Sequence, residues 1–152
     1  MVRAGEQQEA GGLLERGRRV LASQPFSVLV GTELLELEPG HAVLVVPLRQ
    51  ELRQQHGFAH GGVLSYLADN ALAFAGGSLL GNVLTGEFKI NFLRPAAGDA
   101  LVARARVLHA GTAQAVCQCE VFARGEEGER LCATALGTVV RVPDGRGPAG
   151  TR

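Results

Sequence analysis

At 152 residues and 46% hydrophobic, the chain holds enough apolar material for one ordinary domain with a core of its own. Fifteen Lys and Arg balance fifteen Asp and Glu, and no segment sets basic residues beside aromatic ones, which argues against nucleic acid as a partner. Met1 to Leu21 mixes charges with scattered leucines and lacks the uninterrupted apolar stretch of a signal peptide, so neither export nor a membrane anchor is expected.

Residues 1–24 read as an N-terminal helical flank, with Leu13, Leu14, Val20 and Leu21 on one side and Gly11, Gly12 and Gly17 weakening the helix. Pro25 is expected to end it, and residues 25–142 to form the main domain. Val28 to Glu38 and His41 to Leu48 alternate as two strands joined at Pro39-Gly40. After a loop from Arg49 to Ala59, Gly61 to about Leu79 reads as a helix that is apolar on nearly every side. It is about long enough to span a membrane, but it carries Ser65, Asp69, Asn70 and Ser78 and is better read as a buried core helix. The Gly76-Gly77 pair fits the end of that helix rather than a phosphate-binding loop.

In Val83 to Leu93, Leu84, Phe88, Ile90 and Phe92 share one face by alternation, and Thr85, Glu87, Lys89 and Asn91 the other. Ala100 to Leu108, Ala115 to Ala123 and Leu131 to Val142 are further strands, the last two joined by a charged loop over residues 124–129. Residues 143–152, rich in Gly and Pro, are expected to be a disordered tail. One apolar helix with six strands predicts an α+β domain in which an antiparallel sheet curls around the helix. Such a sheet leaves an outer face and two edges uncovered, so a homodimer is the smallest expected assembly.

Cys117, Cys119 and Cys132 are an odd set within strand-like sequence, which predicts core packing and a reducing, cytoplasmic setting rather than disulfides or a metal site.

The segment that carries chemistry runs from His56-Gly57-Phe58-Ala59-His60-Gly61-Gly62 into Val63-Leu64-Ser65-Tyr66-Leu67-Ala68-Asp69-Asn70. It puts two glycines at a helix mouth and one carboxylate two turns inside. A helix N-terminus offers free amides and about half a positive charge, and glycine lets a bulky substrate come close to that backbone. The arrangement suits an oxyanion site with a base beside it. Asp69 has Leu64, Leu67, Ala68, Ala71 and Leu72 around it, so burying it requires a partner or a function. His60 suits a capping role at the turn better than catalysis. His56, His60 and Asp69 lack the regular helical spacing of a metal triad, and no Gly-x-Ser-x-Gly elbow is present.

The chain resembles the hotdog-fold acyl-CoA thioesterases of the phenylacetate-degradation (PaaI-type) branch. The resemblance rests on His60-Gly61-Gly62, on Leu67-Ala68-Asp69, and on the strand Thr85-Gly86-Glu87-Phe88-Lys89-Ile90-Asn91-Phe92-Leu93-Arg94-Pro95-Ala96. It implies a sheet wrapped around a central helix, double-hotdog dimers that pair into tetramers, and active sites shared between two protomers. It further implies that the Gly61 amide faces the thioester carbonyl, while Asp69 of the other protomer acts as nucleophile or as the base that activates water. No metal or organic cofactor is implied. Where many members carry Asn, six residues before the motif His, this chain has Gln54; Thr85 falls where relatives place a small hydroxyl residue in the site. His60 and Gly62 join the substrate-binding set, with Phe58, Tyr66 and Phe74 lining an acyl channel. Lys89 and Arg94, with Arg53 beside them, are candidates for the CoA phosphates.

Two other functions fit the same sequence. Gln54 in place of Asn keeps open an acyl-CoA-binding or regulatory module that turns over poorly, although a retained Asp69 argues against it. A hotdog hydratase would need a His and a carboxylate converging on a carbon–carbon double bond. His60 precedes the helix and His109 lies at a strand end, so neither supplies it.

Overall fold

The computed structural model describes residues 4–144, with side chains from residue 12 onward; most of the expected C-terminal tail, from residue 145, lies outside the described residues. In chain order the elements are α1 (Ala4–Ala22), α2 (Pro25–Val30), β1 (Glu33–Glu38), β2 (His41–Pro47), a 3-10 turn (Gln50–Leu52), α3 (Gly61–Leu80), β3 (Val83–Phe92), β4 (Ala100–Ala110), β5 (Gln114–Gly125) and β6 (Gly128–Arg141). The six strands make one antiparallel sheet in the order β1-β2-β4-β5-β6-β3. β1 and β3 are its edges.

The sheet packs around α3, as the apolar pattern requires. Leu67, Ala68, Ala71, Leu72 and Ala75 are fully buried, and each buried leucine contributes on the order of 2 kcal/mol of transfer free energy. The span-length helix is therefore the core of the domain. Alternation on β5 sends Ala115, Cys117, Cys119, Val121 and Ala123 inward. The three cysteines are free and buried, in keeping with core packing. Gly76 sits where α3 comes closest to the sheet: a Cβ there would lie 2.2 Å from Val139 Cγ2. Rather than ending at Gly76-Gly77, α3 continues to Leu80, and Gly81 closes it with a φ of 82° and an N–H donated to the Gly77 carbonyl.

Two expectations are corrected. Val28 to Glu38 is not one strand, because Pro25 opens α2 instead of merely ending α1. Proline suits the first turn of a helix, where its missing N–H costs nothing, and α2 runs to Gly31, which turns left-handed at φ 86°. Arg49 then donates to the exposed carbonyls of Val30 and Leu29 at the C-terminus of α2, a favourable place for a cation. The second correction is to the faces of β3. A register shift between Thr85 and Glu87 inserts one residue opposite β6, so parity changes at Gly86. Val83, Thr85, Phe88 and Ile90 are the partly buried set, while Leu84, Lys89 and Phe92 are exposed.

Candidate active site

The mouth of α3 is fixed from both sides. His60 N–H donates to the Leu52 carbonyl at 2.9 Å, and Ala59 N–H to the Ala96 carbonyl at 2.9 Å. His60 has extended backbone angles and caps the helix: its Nδ1 accepts from Gly62 N–H at 2.9 Å, and its carbonyl accepts from Val63 N–H. The Gly62 amide is thereby used. The Gly61 N–H has no partner among the described residues, which leaves it as the donor aimed out of the helix mouth. A Cβ at Gly61 would lie 3.5 Å from Phe92 Cζ, so the Phe92 ring stands beside that donor. Alternation alone had placed Phe92 with the core residues, and nothing in the sequence announced the bulge that moves it.

The loop before the mouth is held by residues considered above for other tasks. Arg53 donates to the carbonyls of Gly57, Leu48 and Gly98, so its guanidinium ties the loop to the β3–β4 connection and is committed within the protomer. Gln54 N–H donates to the Phe58 carbonyl, the Gln54 carbonyl accepts from Gly57 N–H, and the Gln54 Oε1 accepts from His56 N–H. Its side chain shapes the turn, in which Gly57 has a φ of 86°.

Two turns into α3, Thr85 Oγ1 donates to Asp69 Oδ1 at 2.6 Å. The β3 bulge makes this possible by turning Thr85 toward the helix. A short bond to an ionised carboxylate is among the stronger hydrogen bonds a protein makes, and it holds the group in one rotamer. Asp69 Oδ2 has no partner among the described residues, and the carboxylate is only partly buried. It is oriented and still reachable.

The eight residues between Gly61 and Asp69 rise about 12 Å along the helix. One thioester cannot place its carbonyl oxygen about 3 Å from the Gly61 amide and its carbon beside Asp69 of the same helix. A site using both groups needs a second copy of the chain.

The other candidates scatter. Tyr66 Oη joins a polar network with Ser27, Thr32 and Asn70. Phe74 is buried and borders a cavity of about 410 Å³ between α1 and α3. Phe58 and Arg94 line a surface groove with Asp99, Glu126, Glu127 and Arg130, and Lys89 is exposed on the other side of β3 from Thr85. Within one protomer the three aromatic residues share no cavity. Among the described residues no cluster of His, Cys, Asp and Glu could hold a metal.

Residues 56–132 match the profile of a family described as the thioesterase superfamily. The chain belongs to the thioesterase superfamily. Its relatives include the acyl-coenzyme A thioesterase PaaI of Escherichia coli, 34% identical over 93 residues that cover 60% of this chain and 66% of that protein, just under two thirds of its length. Among solved structures, a thioesterase family protein from Silicibacter pomeroyi superposes with a TM-score of 0.81 at 36% identity, covering 84% of this chain and 96% of that one. The E. coli PaaI structure superposes with a TM-score of 0.79 at 26% identity, covering 88% and 96%. The sheet around α3 is thus the hotdog fold of these thioesterases, and the enzyme class of the superfamily member described here is thioester hydrolase.

Proposed function

We propose that the protein hydrolyses acyl-CoA thioesters with aryl or short- to medium-chain acyl groups, giving the free acid and CoA. The observation that carries this reading is the Asp69 carboxylate, held by Thr85 at 2.6 Å with one oxygen unpartnered among the described residues, on the same helix whose mouth presents the free Gly61 amide. Thioester hydrolysis needs both: a donor for the charge that develops on the carbonyl oxygen, and a group that attacks or delivers water.

The Gly61 amide of one protomer polarises the carbonyl, and Asp69 of its partner takes a proton from water as the water oxygen bonds to the carbonyl carbon. Collapse breaks the C–S bond, and that proton passes to the departing CoA thiolate. In the nucleophilic variant, Asp69 itself forms an anhydride that water then opens. One turnover in ¹⁸O-water separates the two, because opening the anhydride at the Asp69 carbonyl leaves label in the enzyme.

A homodimer is the minimum assembly in this reading, supported by the Gly61–Asp69 separation and by the open ten-residue edge of β3; pairing of dimers into a tetramer follows the family resemblance. The three free, buried cysteines support a reducing, cytoplasmic setting, and phenylacetate degradation is the metabolic setting the resemblance favours. Thiol release from a panel of aryl- and alkyl-acyl-CoAs is the test. We expect turnover on at least one class, with Asp69→Ala at least about a hundredfold slower. Tight binding of acyl-CoA without thiol release by wild type would replace this reading with the acyl-binding module.

A further inference from the structure

The cavity between α1 and α3 begins one helical turn from Asp69. Ala73, four residues on from Asp69 and so on the same side of the helix, lines it, as does Val83, which shares its β3 face with Thr85. Leu13, Val20, Leu37 and Phe74 supply much of the apolar wall. Its volume of about 410 Å³ compares with the ~150 Å³ that is enough to hold a benzene molecule. An acyl group whose carbonyl lies at Asp69 can extend directly into this space.

One polar group on the wall is not satisfied. Asn70 is only 9% exposed, and the hydroxyl chain beside it fixes the direction of its amide. Ser27 Oγ donates to Gln24 Oε1 at 2.6 Å, Tyr66 Oη donates to Ser27 Oγ at 2.6 Å, and Thr32 Oγ1, at 2.7 Å, is left to donate to Tyr66 Oη. Each hydroxyl proton is therefore committed. The three oxygens facing Asn70, on Gln24, Ser27 and Tyr66 at 3.2 to 3.3 Å, can only accept, so the end of the amide that meets them is Nδ2. Its Oδ1 is turned the other way, with no partner among the described residues, on a residue that lines the cavity. A buried acceptor left open asks for a donor.

We infer that the α1–α3 cavity is the acyl chamber and that Asn70 is its specificity-determining residue, its Oδ1 accepting a hydrogen bond from a donor on the distal part of the acyl group. This rests on the acyl-CoA hydrolase reading above and adds what selects the acyl group. Neither the position nor the role follows from Asp69 and Gly61. A site built to accept from a hydroxyl rejects the analogue that lacks it, because the oxygen is then left buried and unpaired.

The test is kcat/KM for pairs of acyl-CoAs that differ by one distal hydroxyl, on aryl and on alkyl frames. Wild type is expected to favour the hydroxylated member of at least one pair by about tenfold or more. Asn70→Leu should bring that ratio to about one or invert it. Ala73→Phe, which narrows the chamber without touching the polar network, should shift the ratio of long to short acyl substrates at least several-fold. Equal wild-type kcat/KM within every pair overturns the Asn70 assignment even if no variant folds. An unchanged long-to-short ratio in folded Ala73→Phe overturns the chamber. Absence of thiol release by wild type from every thioester is a different failure, of the hydrolase reading itself, and the chamber falls with it.

Discussion

Asp69 owes its orientation to a hydroxyl sixteen positions along the chain. A hydrogen bond to a charged group is worth about 1.5–3 kcal/mol, so Thr85→Val, which keeps the shape and removes the donor, should lower kcat by about 10- to 100-fold. KM should stay near wild type if the bond matters mainly in the transition state. Thr85→Ser should restore most of the rate; equal losses in both variants would mean that packing at this position matters and the hydroxyl does not. The cysteines give a second residue-scale expectation. Burial in the apolar interior pushes the Cys117 thiol up to about 11 and the Cys119 thiol up to about 12, with the nearby Glu120 charge adding to the latter. They should resist a thiol reagent at pH 8 in the native protein and react on unfolding. The unfolded chain ionises these thiols from about pH 9, and the folded one only at the raised values. Stability is then fully present below pH 9 and falls as pH rises toward 11–12, which Tm measured from pH 8 to 11 would register.

At the scale of elements, packing overrules local preference at Gly76. Alanine in a helix interior is favoured over glycine by roughly 1 kcal/mol, but its Cβ would stand 2.2 Å from Val139, and forcing atoms into a packed core costs about 1–3 kcal/mol. Gly76→Ala should therefore lower Tm by a few degrees, whereas a rise would mean that α3 moves off the sheet at little cost. Legibility varied in the same way. The core faces of α3 and β5 could be read because one period, helical or alternating, runs unbroken along each. β3 could not, since a bulge at Gly86 reverses parity and leaves no mark in the residue types. α2 escaped because Phe26, Val28 and Leu29, all exposed, look like half of a strand pattern. Only Pro25 at the start and Gly31 at the end signalled a helical turn.

At the scale of the whole molecule, the distance along α3 between Gly61 and Asp69 makes a shared site testable without any structure of the assembly. Gly61→Pro removes the amide at the first helical position, where proline is tolerated, and His60 already has the extended backbone that precedes a proline. Gly61→Pro and Asp69→Ala should each be nearly inactive alone. Co-refolded in equal amounts, they should regain up to about a quarter of wild-type activity, because half the dimers then carry one intact composite site. No recovery despite exchange of subunits would rule out a site built from two protomers.

The His60-Gly61-Gly62 turn, the acid at Asp69 and the apolar sweep of α3 determined the fold class and the class of chemistry by themselves, because a helix mouth and a buried helix are local patterns written in consecutive residues. Which side Thr85 faces, that Gln54 and Arg53 hold a loop, that Phe92 stands beside Gly61 and that Asn70 turns an open oxygen toward a cavity were decided only in three dimensions. Each of these depends on a register shift, or on a hydrogen bond between segments far apart in the chain, and the pattern of neighbouring residues records neither.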